Sequence, residues 1–143
     1  MKKLRRNNKG FSLVELIVVV LIMAIIAVAL APQVMKWVGN SRDSTDAQIY
    51  DSLVSDAQTA LTKESVWKVV KGKSGTSAIT ITIKNDGTSV GNDAGGFKTE
   101  LEAVAGKTVG EIKANSAPDS GYVITIDGGS VKRTTAPSPD ANK

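Results

Sequence analysis

From Leu16 to Met35 the chain carries no charged side chain, a run of twenty residues dominated by Val, Ile, Leu, Met and Ala. As a helix this stretch covers roughly 30 Å, about the thickness of a bilayer's hydrocarbon core. Apolar side chains occupy every face through Ala31, so the helix has no polar side to give to water and must be covered by lipid or by protein. One acid, Glu15, stands just inside its N-terminal edge. A carboxylate in hydrocarbon costs about 2.5–3.5 kcal/mol on insertion scales, so Glu15 needs a compensating partner.

The formal charge of +4 invites a nucleic-acid partner, but its distribution argues against one. Lys2, Lys3, Arg5, Arg6 and Lys9 crowd ahead of Gly10, leaving 13 Lys and Arg against 14 Asp and Glu in the rest of the chain. A basic cluster before an apolar run is a topology signal that holds the N-terminus in the cytoplasm. Lys63, Lys68, Lys71 and Lys73 form a second, modest basic patch that reads as a solvated helix end. The absence of cysteine excludes disulfides, and the absence of histidine removes the commonest general base and transition-metal ligand. No serine or lysine has a recognisable activating base, and Gly91–Gly96 lacks the Gly-Lys-Ser/Thr ending of a phosphate loop. The chain therefore reads as a non-enzyme, with no catalytic residues.

Three accounts of the N-terminus compete. A secretory signal peptide has a small-x-small site at Ala29-Leu30-Ala31, but Pro32 would follow the cut and Glu15 would interrupt the apolar core. A permanent single-pass anchor fits the segment and leaves Glu15 to snorkel. In the third account the chain is cut between Gly10 and Phe11. The residues Lys9-Gly10-Phe11-Ser12-Leu13-Val14-Glu15-Leu16 resemble the prepilin cleavage motif of type IV pilins and type II secretion pseudopilins, and the likeness extends through Pro32. That resemblance implies removal of residues 1–10 by a prepilin peptidase and N-methylation of Phe11. It further implies residence in the cytoplasmic membrane, then extraction by an assembly platform and ATPase into a homo-oligomeric helical filament outside the cell.

The resemblance also implies a partner for Glu15, the freed amine of Phe11, within one subunit or between two. Opposite charges buried among apolar side chains must compensate each other, which would set the register between neighbours. Ala24, Ala27, Ala29 and Ala31 would let backbones approach closely. Pro32 lacks a donor and clashes with the preceding turn, so a kink or local melting is expected there. Gly39-Asn40 is a second weak point.

Beyond Asp43 the pattern turns amphipathic, with Ala47, Tyr50, Val54, Ala57 and Leu61 on one stripe widened by Ile49 and Leu53. Asp43, Asp46, Asp51 and Asp56 lie mainly off it and are expected to face solvent. One long helix over roughly 12–66 follows. Ile79, Ile81 and Ile83 alternate with threonines as a half-buried strand, closed by turn chemistry at Asn85-Asp86-Gly87. Phe97–Ala105 reads as a short helix, Tyr122–Ile126 as a strand, and Ser130–Arg133 as another after the turn at Asp127-Gly128-Gly129. The expected fold is α+β: a long N-terminal helix, apolar then amphipathic, packed on a small antiparallel sheet. Its divisions are a leader at 1–10, a membrane or filament-core helix at 11–39, a spine at 40–66, a head at 67–133 and a tail at 134–143. The head core is expected from Ile79, Ile81, Ile83, Phe97, Leu101, Val104, Ile112, Tyr122, Ile124 and Ile126 with the spine's stripe. Many pilins tie down the C-terminal region with a disulfide, and this chain has none.

No cofactor is expected. Asp86, Asp93 and Asp127 sit in glycine-containing loops of the kind that bind calcium in pseudopilins, but nothing matches EF-hand spacing and Asp-Gly is also ordinary turn chemistry. The retained Glu15 favours a main-shaft pilin. The alternatives are a pseudopilin of a secretion or DNA-uptake machine and a membrane-anchored binding module that never polymerises.

Overall fold

The computed structural model describes residues 10–138. The chain divides after Trp37 into two units, with a single helix, α1 (Leu13–Ala60), crossing the boundary. In the first unit the described residues are helical from Leu13, and every one of them is exposed. The second unit adds α2 (Glu64–Val70), β1 (Ile79–Ile83), β2 (Thr88–Gly91), α3 (Phe97–Ala105), β3 (Tyr122–Asp127) and β4 (Ser130–Thr135). The strands form one antiparallel sheet in the order β2-β1-β3-β4, giving the expected α+β arrangement.

The two central strands carry the core. Ile81 faces Ile124, Ile79 faces Ile126 and Ile83 faces Tyr122 across the β1–β3 ladder, so the alternating side chains of both strands fall on one buried face. Tyr50, Leu53, Val54 and Ala57 of α1 close over that face. The Tyr50 hydroxyl donates to the Val123 carbonyl at 3.0 Å, satisfying the ring's polar end. Of the ten expected core residues eight are buried, while Val104 and Ile112 are partly buried against the cluster. Between β3 and β4 the turn is Gly128-Gly129, both at positive φ (59° and 83°), the backbone a two-residue type I′ connection demands.

Several elements differ from the expectation. The long helix ends at Ala60 rather than near 66. Its last turn tightens, with Thr62 N–H donating to the Thr59 carbonyl (3.0 Å) and Lys63 N–H to the Ala60 carbonyl (3.4 Å), before α2 restarts. No glycine or proline marks this break. The change of direction buries Val66 and Val70, which a continued α1 would not place on its core stripe. Strand β2 adds to the expected elements. Its Thr-Ser-Val-Gly sequence has too little alternation to announce itself, and it exists because β1 offers an edge. Residue Thr88 is buried there, its hydroxyl donating to the Ile112 carbonyl at 2.6 Å. Strand β4 also runs to Thr135, two residues into the expected tail.

The largest correction concerns Asp46. Expected to face solvent, it is 1 % exposed. Its Oδ1 accepts the backbone N–H (2.6 Å) and side-chain amide (3.1 Å) of Asn115, and its Oδ2 accepts the backbone N–H (2.7 Å) and hydroxyl (2.8 Å) of Ser116. The single Ser116 hydroxyl proton is shared between Asp46 and Asp43, whose Oδ1 lies 2.6 Å away, and Tyr122 donates to the Ser116 carbonyl at 3.1 Å. A buried carboxylate is tolerated when donors saturate it, as here. In a chain without cysteine, this clamp fastens the loop before β3 to α1.

Candidate functional site

Gly10, Phe11 and Ser12 precede α1 in non-helical backbone. The Ser12 carbonyl accepts the first helical bond from Leu16 N–H at 3.2 Å, which makes Ser12 the N-cap residue. The Gly10–Phe11 peptide bond therefore lies outside the helix, two residues ahead of its first turn. Gly10 is exposed with no atom within 4 Å of where a Cβ would stand, and Phe11 is 86 % exposed. A hydrolase that binds substrate in extended form meets an accessible bond here.

Glu15 lies in the first turn of α1, where the unpaired N–H groups of the helix favour an anion. It makes no salt bridge among the described residues. Phe11 and Glu15 are four residues apart, and a new terminus at Phe11 would bring its ammonium to the same end of the helix. The amine and the carboxylate would then offer opposite charges at one end of an otherwise uncharged rod.

That rod is the dominant feature of the segment. Leu13, Leu16, Ile17, Val20, Leu21, Met23, Ile25 and Val28 all have half or more of their surface open. Each large apolar side chain gains about 1.5–3 kcal/mol on leaving water. The run to Met35 thus represents on the order of tens of kcal/mol of unrealised burial. Among the described residues α1 is the helix long and apolar enough to cross a membrane. Pro32 sits inside it, and α1 is continuous there and through Gly39-Asn40. Because proline has no N–H, the Val28 carbonyl has no donor from the following turn.

Two of the three loop aspartates have partners of their own. Asp93 accepts the backbone N–H of Lys98 at 3.0 Å at the start of α3. Asp127 pairs with Lys132 at 2.7 Å and accepts Gly75 N–H at 3.3 Å, which hold its carboxyl below the usual carboxylate range. Asp86 lies beside Asp119 in an open depression that also contains Lys84. Among the described residues no group of three His, Cys, Asp or Glu is placed to hold a metal. In the basic patch Lys63 pairs with Glu100 and Lys68 with Glu64 at 2.6 Å. Sequence reasoning missed α2, although Val66/Val70 and Glu64/Lys68, each four apart, carry a helical signal.

Residues 5–31 match the family model described as the prokaryotic N-terminal methylation motif, which takes in Arg5, Arg6 and Lys9 of the basic flank, Gly10-Phe11, Glu15 and most of the apolar run. No curated protein and no solved structure matches the chain.

Proposed function

We propose, on the premise that this methylation motif is the hallmark of type IV pilins and pseudopilins, that the chain is a prepilin whose mature form is the main-shaft subunit of an extracellular filament. A prepilin peptidase removes residues 1–10 and the new N-terminal Phe11 is N-methylated. The subunit rests in the cytoplasmic membrane through the apolar half of α1, then passes to an assembly platform driven by an ATPase. Neighbouring copies replace lipid around the same helix. Glu15 pairs with the Phe11 amine, so a copy that slips in register strands two charges in an apolar bundle. Pro32 marks where α1 melts in the assembled state. The chain's role is structural rather than enzymatic.

The observation that carries this reading is the N-terminal part of α1: apolar on every face from Leu16 to Ala31, exposed from Leu13 to Trp37, and preceded by an accessible Gly10–Phe11 bond. Mass spectrometry of the endogenous N-terminus tests it. Methylated Phe11 is the expected result, and recovery of the protein solely with its leader attached would refute it. Electron microscopy of sheared surface material then separates the main-shaft role, which requires long fibres containing this chain, from a short pseudopilus.

A further inference from the structure

On the processing proposed above, the Phe11 ammonium exists only after residues 1–10 are gone. In the uncut chain Glu15 already stands at the edge of the apolar run, where an uncompensated carboxylate is costly. Before the cut, something other than that amine has to accommodate it.

The start of α1 supplies both a need and a means. Leu16 N–H is the first to reach an acceptor in the helix, the Ser12 carbonyl at 3.2 Å. The N–H groups of Ser12, Leu13, Val14 and Glu15 are therefore left without a partner from the helical ladder. From Gly10 to Pro32 only two side chains carry a hydrogen-bonding oxygen or nitrogen, those of Ser12 and Glu15. Ser12 immediately precedes the helix and Glu15 is its third residue, in the order Ser-x-x-Glu. That spacing permits a reciprocal cap, in which the Ser12 hydroxyl oxygen accepts Glu15 N–H and the Glu15 carboxylate accepts Ser12 N–H. Both residues are exposed, and among the described residues neither side chain is engaged elsewhere, so the cap requires only that they turn toward these groups.

We propose that Ser12 and Glu15 form this reciprocal cap in the uncut chain. They act there as positioning residues: the cap accommodates the carboxylate until the amine exists, and it holds the first residue of α1 at Leu13, beyond the Gly10–Phe11 bond. Cleavage then offers Glu15 a charged partner in place of the Ser12 N–H. Glutamate serves both states, whereas glutamine would serve only the cap.

Amide hydrogen exchange, followed by NMR on the uncut full chain in dodecylphosphocholine micelles, tests the assignment. The Ser12 and Glu15 amides should exchange more slowly than those of Leu13 and Val14, each relative to its intrinsic rate. Ser12→Ala should speed exchange at Glu15 about fivefold, and Ser12→Asn should restore the protection. Glu15→Ala should speed exchange at Ser12 by about the same factor, while Glu15→Gln should keep most of the protection. A helix start that needed only negative charge nearby would lose protection equally in both Glu15 variants. Unchanged exchange in β1 and β3 shows that the variants keep the fold of the second unit. The proposal is overturned if Ser12 and Glu15 exchange as fast as Leu13 and Val14, if Ser12→Ala changes nothing, or if the two Glu15 variants behave alike. Such a failure leaves the processing itself standing, because methylated Phe11 in the endogenous protein is read separately by mass spectrometry.

Discussion

Replacing Asp46 with alanine should unfold the second unit far more readily than its position on a polar-looking helix face suggests. The carboxylate accepts two backbone N–H bonds, from Asn115 and Ser116, and two side-chain bonds from the same residues. Hydrogen bonds to charged groups contribute about 1.5–3 kcal/mol each. The four bonds share one acceptor group and do not add, so the loss of the two bonds from backbone N–H groups sets the scale at about 3–5 kcal/mol. Against a total stability of about 5–15 kcal/mol that is a large fraction. For a domain of this size it corresponds to a fall in Tm of about 10–20 °C. Thermal unfolding of the full chain in detergent micelles, followed by near-ultraviolet circular dichroism, measures it. Limited proteolysis should show the loop before β3 cut first. Asp43→Ala is the control: it removes a single bond to the Ser116 hydroxyl at an exposed site and should cost no more than about 1 kcal/mol. An Asp46→Ala loss below about 1 kcal/mol, or equal losses in the two variants, would refute the clamp.

Glu15→Ala should leave a membrane-resident, correctly cleaved subunit that assembles poorly. Wild-type filament yield, measured by shearing and electrophoresis, would remove Glu15 from assembly. Asp56 lines the groove between α1 and α3, and burial raises its carboxyl above the ordinary value of 3.8. A raised folded-state pKa favours the protonated form, so the charged side chain opposes folding once pH exceeds 3.8 and most fully above the folded pKa. Asp56→Asn should therefore raise Tm at neutral pH and lose that advantage as pH falls below 3.8. An advantage that grows toward acid pH would reverse the assignment.

The elements legible in the chain are those whose own side chains state what they want. Twenty uncharged residues define an apolar rod wherever they sit, and Glu15 beside the Gly10-Phe11 junction stands out because charge is absent around it. The Ile-Thr alternation of β1 and the spacing of Phe97 and Leu101 in α3 likewise encode one buried face each, and both elements form where expected. The rest depends on neighbours distant along the chain. Asp46 is buried because donors at 115 and 116 meet it, and no local pattern distinguishes it from Asp43. The end of α1 at Ala60, and the α2 turn that follows, are set by where Val66 and Val70 find cover and by glycines at 95 and 129 that let Val69 and Trp67 sit close. Strand β2 is a partner's strand, extended because β1 had an open edge. Periodicity reports how a segment divides its own surface; whether a polar group or a weak strand is stable inside is decided by the hydrogen bonds that folding delivers to it.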